Sequence, residues 1–189
     1  MRRELLLLGA VCLLFADGAR AEAPTTLGGL VDQLGTLRDA CADQAKKASS
    51  DYATAAYSES LQVETDRQKA QMDAQVYAVG HGSRESSDYL IARMNQDISA
   101  QAERQKVMAS KFATDKDAVQ TCVTDAASRG KSEYGAFKGN PKLKSQHSEA
   151  EKLVTAWLAN VEEISTSQPQ GSEVTKASWS TAKAHAQLQ

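Results

Sequence analysis

Proline, histidine, cysteine and aromatic residues are all scarce in this chain of 189 residues. It has three prolines, three histidines and three cysteines, and aromatic residues make up 5% of the sequence. The histidines, at positions 81, 147 and 185, do not have the close spacing of metal-binding motifs. The sequence also lacks a G-x-S-x-G nucleophile motif and a phosphate-binding glycine loop. These absences give no reason to predict catalytic, cofactor-binding or metal-binding residues.

Charge of one sign is not in excess either. The chain has 22 Lys and Arg residues against 24 Asp and Glu residues, a formal net charge of −2. Proteins that bind nucleic acid through their overall charge are usually basic, so the balance does not favour nucleic acid as a partner. A long apolar run occurs at the N-terminus alone, so the rest of the chain is not expected to span a membrane.

Residues 1–21 have the pattern of a secretory signal peptide. Two arginines follow Met1, an apolar run covers residues 5–16, and an Ala-Arg-Ala cleavage sequence ends at Ala21. The run is shorter than the roughly 20 residues that a membrane-spanning helix needs. We therefore expect the mature chain to begin at Glu22 and to be exported, to the periplasm or, alternatively, to the extracellular space.

The two cysteines of the mature chain lie equally far from one short turn. Cys41 and Cys122 flank Gly80-His81-Gly82 at about forty residues on each side. If the chain reverses there, residues whose numbers sum to about 163 face each other, and the two cysteines meet. An even number of cysteines in an exported protein favours a disulfide. The symmetry therefore predicts a disulfide-linked helical hairpin, whereas two free thiols would make the spacing a coincidence.

The two segments of this hairpin have helical patterns. Residues 26–79 contain no proline and carry apolar residues every three or four positions, so we expect one long helix, with a candidate break near 58–60. Residues 83–128 contain neither glycine nor proline, and their apolar residues repeat every seven positions, as in coiled coils. The predicted contact positions are Ile91, Ile98, Gln105, Phe112, Val119 and Ala126, with Met94, Gln101, Met108, Asp115 and Cys122.

Residues 129–146 are predicted to be an irregular basic connector. Three glycines and Pro141 fall within them, and both residue types usually interrupt helices. One acidic residue accompanies five cations, which are candidate contacts for an anion: Arg129, Lys131, Lys138, Lys142 and Lys144. The alternative is that the connector is a solvated linker.

A third helix is predicted over residues 148–164, and a weaker fourth over 173–188. The third helix has the most apolar face of the mature chain, and Leu153, Trp157, Val161 and Ile164 lie on it. This face is a candidate site for a partner helix. Alternatively it packs onto the hairpin, whose own core is lightly filled because alanine dominates the first helix.

The sequence as a whole predicts an all-α protein: a long antiparallel, coiled-coil-like hairpin with one or two shorter helices that complete an extended bundle. The predicted organisation is a signal peptide, 1–21, and a single helical domain, 22–189. That domain comprises a hairpin at 26–128, a basic connector at 129–146 and C-terminal helices at 147–188.

For function, the expectation is a non-enzymatic exported interaction or structural protein. A periplasmic component or adaptor of an envelope or secretion assembly fits best, with protein partners and homo-oligomerisation both open. One alternative is a bundle that binds a lipid or another apolar ligand between the hairpin and the Trp157 helix. The other is a protein that binds a polyanion through the basic connector.

Overall fold

The computed structural model describes residues 23–188, apart from the side chain of Ser83, and nearly all of them are helical. The elements are α1 (Leu27–Gly80), α2 (Ser83–Gly139), a short 3₁₀ helix (Pro141–Gln146), α3 (His147–Glu162) and α4 (Glu173–Gln187). The predicted all-α hairpin fold is confirmed. The predicted signal peptide, residues 1–21, lies outside the described part of the chain.

Helix α1 is continuous over its 54 residues, with no break at 58–60, and is therefore about 80 Å long. Thr26 caps its first turn, because its hydroxyl accepts a hydrogen bond of 3.0 Å from the backbone nitrogen of Gly29. The chain then reverses through His81 and Gly82, as the sequence predicted. Both residues are extended, with φ of −134° and −69°, so the reversal does not require a left-handed glycine.

The hairpin also has the predicted register. A disulfide joins Cys41 to Cys122, with Cα atoms 5.6 Å apart. Closer to the turn, the ring of Tyr52 stacks on Phe112 with centroids 4.2 Å apart. Both pairs satisfy the rule that facing residue numbers sum to about 163.

The prediction of an irregular connector is wrong for residues 129–139, because α2 continues through them to Gly139. Gly130, one of the three glycines expected to interrupt the helix, is required by packing instead. A Cβ at this position would overlap the indole of Trp157. The helix cost of that glycine, about 1 kcal/mol, is small beside the burial of a tryptophan side chain. The chain turns only at Asn140-Pro141, where the Asn140 side chain accepts from the backbone nitrogen of Lys142 at 3.1 Å.

We call residues 27–48 and 115–188 the base. Here α3 packs on both α1 and α2, and α4 packs on α3 and α1. The largest fully buried side chains of the described chain all lie in this region; they include Trp157, Phe137, Leu30, Leu34 and Leu153. The weaker C-terminal helix predicted from the sequence is present as α4, and its Trp179 is buried against the same core. The base therefore has a multi-helix core of its own.

We call residues 49–114 the arm. It consists of α1 and α2 alone, and Ala70 is the sole buried residue among its described side chains. The predicted heptad contacts are correct near the disulfide, where Val119 and Ala126 are buried, and at Phe112, which stacks on Tyr52, but they are wrong closer to the tip. There Ile91, Met94 and Ile98 are 57%, 50% and 59% exposed.

The contact positions of α2 in the arm instead repeat every eleven residues. Half-buried side chains fall at positions 86, 90, 93, 97, 101, 104, 108, 112 and 115. An eleven-residue repeat matches a nearly straight helix, whereas a seven-residue repeat drifts by about 20° per heptad around such a helix. Near the tip, Ile91, Met94 and Ile98 therefore turn away from α1. Arg93, Asp97 and Gln101 lie at the contact positions there, together with Leu90.

Candidate functional site

The candidate partner face on α3 is not a free surface. Leu153, Trp157, Val161 and Ile164 are at most 2% exposed, because they form the core of the base. The indole nitrogen of Trp157 also donates a 2.7 Å hydrogen bond to the carbonyl oxygen of Leu34. This face therefore packs onto the hairpin, as the alternative interpretation of the sequence predicted, and binding of an apolar ligand beside Trp157 stays a prediction.

A buried polar network joins α1 to α3 and to the loop after it. The Nε atom of Arg38 donates to Oδ1 of Asn160 at 2.6 Å, and its Nη2 donates to Oε1 of Gln170 at 2.8 Å. Asn160 in turn donates to the carbonyl oxygen of Gln170 at 2.9 Å. Arg38 and Asn160 are 7% and 0% exposed, and their hydrogen bonds offset the cost of burying them. The network fixes the geometry of the base.

Glu163 links the end of α3 to the start of α4. Its carboxylate accepts hydrogen bonds from the backbone nitrogen of Ser172 at 2.9 Å and from the Thr175 hydroxyl at 2.7 Å. Hydrogen bonds from Ser172 and then Thr175 lower the pKa of Glu163 below its usual 4.5. Gly171 precedes α4 with φ of 73°, and a Cβ there would overlap the amide of Asn160. The corner between α3 and α4 therefore depends on close contacts that no sequence motif predicts.

The tip of the hairpin carries a stack of three rings. Tyr77 lies between His81 and Tyr89, with centroids 3.8 and 4.5 Å away and nearly parallel planes. The Nδ1 atom of His81 is 2.9 Å from the carbonyl oxygen of Tyr77. Val79, beside the stack, is 91% exposed. The tip thus combines an ordered aromatic platform with an apolar side chain in solvent.

Large apolar side chains are exposed along much of the arm. They are Tyr52, Tyr57, Leu61, Met72, Val76, Val79, Tyr89, Ile91, Met94, Ile98 and Val107. In the base, by contrast, such exposure among the described residues is limited to Val174 and Leu188. Extended apolar surface of this kind is typical of sites that contact other molecules.

Arg104 forms ion pairs between the two helices of the arm. Arg104 on α2 reaches two carboxylates of α1, Glu59 at 2.9 Å and Asp66 at 3.3 Å. These contacts, led by the hydrogen bond to Glu59, raise the pKa of Arg104 above its usual value. Nearer the tip, Arg93 lies 3.8 Å from Asp97 on the same helix. Their buried Nε and Oδ2 atoms have no hydrogen-bond partner.

The five predicted anion contacts are all exposed, and they lie at the end of α2 and in the 3₁₀ helix. Lys138 lies over the ring of Tyr134, with its ammonium 5.9 Å from the centroid. Within residues 23–188, neither Arg129 nor any of the four lysines forms an ion pair. These cations therefore remain available to an external anion, although they decorate regular helix rather than a connector.

No group of three or more His, Cys, Asp or Glu residues in the described chain is arranged to hold a metal ion. Over the same residues, none of the helices is both long and apolar enough to cross a bilayer. Comparison with models of protein families, with curated proteins and with solved structures finds no match to this chain.

The sequence analysis did not predict the ring stack at the tip. It also did not predict the contact of Arg104 with Glu59 and Asp66. The i, i+4 spacing of Tyr77 and His81 was a usable signal for the stack, because such residues are neighbours on a helix. Arg104 could have been paired with Glu59 by the same register rule that paired the cysteines, since their numbers also sum to 163. The Arg38–Asn160 contact spans 122 residues between separate elements, and no local pattern indicates it.

Proposed function

We propose that this chain is a non-enzymatic, exported helical adaptor or structural component of an envelope or secretion assembly, located in the periplasm. One observation carries the proposal: apolar side chains are exposed along an arm of two helices that extends about 50 Å from a separately packed base. An arm of this kind suits a protein that reaches from one component of an assembly to another.

Export is supported by two features. The signal-like pattern of residues 1–21 is one, and the disulfide between Cys41 and Cys122 is the other, because disulfides persist in oxidising compartments. The buried core of the base supports an assignment of roles in which the base supplies stability and the arm supplies contact surface.

The tip is the proposed first contact point. The rings of Tyr77, His81 and Tyr89 stack on one another, and Val79 offers an apolar side chain that the protein does not bury. An ordered apolar surface loses less entropy on binding than a disordered one.

In-cell photo-crosslinking tests the proposal. A photoreactive residue replaces Val79 or His81 on the arm, or Thr155, an exposed residue of α3 in the base, as a matched control. The expected result is that one dominant protein is captured from positions 79 and 81, and not from 155. Crosslinks from the base alone, or from none of the three positions, would contradict an adaptor that works through its arm.

Polyanion binding through Arg129, Lys131, Lys138, Lys142 and Lys144 is a second candidate, supported by their exposure and their lack of carboxylate partners. It predicts retention on heparin that falls as salt rises. Changing Lys138, Lys142 and Lys144 to glutamine should abolish retention, whereas Lys46→Gln with Lys47→Gln in α1 should not. Equal loss in both variants would indicate non-specific charge and reject a defined site.

A further inference from the structure

A groove of about 230 Å³ runs between α1 and α2 in the arm. Val63 and Ala70 of α1 face Leu90, Met94 and Ile98 of α2 and give it a largely apolar surface, and polar side chains such as Asp66, Asp97 and Arg67 also line it. The exposed apolar heptad of α2 forms one rim, since Met94 and Ile98 both line the groove and are half exposed. The arm therefore exposes, on one side of its helix pair, the apolar stripe that a third helix of a coiled-coil bundle would cover.

The base shows how such a space between α1 and α2 is filled in this protein. There, α3 packs against both helices and places Leu153 and Trp157 between them, with Trp157 bonded to Leu34 and lying on Gly130. In the arm, no element of residues 23–188 covers the groove. In the base, the element that fills the space between α1 and α2 is therefore a helix.

The charges at the groove indicate the chemistry of that helix. Asp66 is held by Arg104 at 3.3 Å. Asp97 lies 3.8 Å from Arg93, and its Oδ2 atom, which has no hydrogen-bond partner, is buried away from the groove's surface. Arg67, on the α1 rim, has a side chain that is 69% exposed and lies 4.0 Å from Glu64 on its own helix. Arg67 is thus the cation at the rim that is exposed enough to bind an external group. A carboxylate of a partner would complement its charge.

We propose that the groove binds an amphipathic α-helix of a partner protein. That helix carries apolar side chains at positions i, i+3 or i+4, and i+7, which pack on Met94 and Ile98, and an Asp or Glu on the flank that faces Arg67. The inference rests on the proposed adaptor function and specifies the kind of partner that the arm contacts.

A displayed library of 18-residue helices tests the proposal. The library has apolar residues fixed at the i, i+4 and i+7 positions and randomised flanks, and it is selected against the full mature protein with its disulfide intact. Enriched helices are expected to carry Asp or Glu on one flank. Met94→Asp and Ile98→Asp should each weaken their binding about tenfold or more, as at interface hot spots. Both positions are at least half exposed, so these variants are expected to fold.

Two further variants make the test specific. Leu61→Asp changes a residue that is 52% exposed and does not line the groove, so its effect on binding should stay within about twofold. Arg67→Glu should reverse the flank preference, so that selection on this variant enriches Lys or Arg instead.

Several results would overturn the inference: no enriched helix, helices that bind Ile98→Asp as tightly as the unmodified protein, or a flank preference that Arg67→Glu leaves unchanged. Self-association that Ile98→Asp abolishes would assign the groove to a second copy of this chain, and a co-purified apolar mass lost in Ile98→Asp would assign it to a lipid. A tip crosslink at position 81 that survives Ile98→Asp would reject the groove and leave the adaptor function standing.

Discussion

The base and the arm are built on the same two helices, yet they differ in almost every physical respect. In the base, α3 and α4 cover the hairpin, so Trp157, Leu34 and Asn160 are removed from solvent. In the arm, α1 and α2 have only each other, and Ala70 is the sole described side chain that becomes buried. Two long helices alone therefore do not make a core. The additional helices of the base supply most of the buried surface.

The two regions also treat polar groups differently. In the base, Arg38 is buried and bonded to Asn160 and Gln170. In the arm, Arg104 bridges Glu59 and Asp66 at a surface where its side chain is 37% exposed. Buried, satisfied groups fix one geometry, whereas partly exposed ion pairs contribute little to the free energy of unfolding. We therefore expect stability to depend on the base and contact with partners to depend on the arm.

The largest expected effect comes from removing the link between Cys41 and Cys122. The disulfide closes a separation of 81 residues. In the chain-entropy model its loss lowers the free energy of unfolding by about 4.5 kcal/mol. Urea unfolding of the Cys41→Ala, Cys122→Ala variant, compared with the oxidised protein, measures this. A shift of less than about 1 kcal/mol would mean that the unfolded chain gains little freedom.

Two single substitutions compare the contribution of the base core to stability with that of the arm surface. Trp157→Ala should destabilise the protein by about 3–5 kcal/mol, because it empties the centre of the base. Tyr57→Ala, at a 67% exposed position of the arm, should change stability by less than about 0.5 kcal/mol. Thermal or urea unfolding gives both values, and equal effects would contradict the contrast between the two regions.

The buried polar network gives a smaller effect. Asn160→Ala removes the acceptor that Arg38 contacts at 2.6 Å and leaves a buried donor without that partner. The expected cost is about 1–3 kcal/mol of unfolding free energy. If Arg38→Met with Asn160→Leu recovers the loss, the network serves geometry rather than stability. A cost for Asn160→Ala alone near zero would show that Arg38 finds another acceptor.

The smallest effect is a pH dependence at the α3–α4 corner. Hydrogen bonds from Ser172 and Thr175 lower the pKa of Glu163 below 4.5. Its ionised carboxylate therefore contributes to the free energy of unfolding at pH values above about 4.5. This contribution is lost as the pH falls through the lowered pKa of the folded state. Glu163→Gln should remove this part of the acid dependence, and Thr175→Val should remove a fraction of it. Identical acid unfolding curves for all three proteins would exclude the contribution.

Features of the chain that depend on local spacing could be predicted from the sequence. The turn at Gly80-His81-Gly82 fixes the hairpin register, and that register places Cys41 by Cys122 and Tyr52 by Phe112. Once the turn is found, antiparallel pairing leaves no further freedom, which is why these contacts were predictable.

Features that depend on packing between distant segments could not be predicted in this way. Gly130 was interpreted as a helix breaker, yet its missing side chain makes room for Trp157. The heptad through Ile91 and Ile98 predicted contact with α1, but a nearly straight helix turns these residues outward. A sequence periodicity identifies an apolar stripe without saying which surface covers it. The groove was therefore not predicted, although Met94, Ile98 and Gln101, which line it, are among the predicted contact positions.

Amide hydrogen exchange of the mature, oxidised protein tests the division between base and arm most directly. Amides of α3, and of α1 and α2 within the base, are expected to exchange at the rate set by global unfolding. Amides of the arm should exchange orders of magnitude faster, because local opening there exposes little apolar surface. Equal protection along the full length of α1 would contradict the account, since the arm would then belong to the same cooperative core as the base.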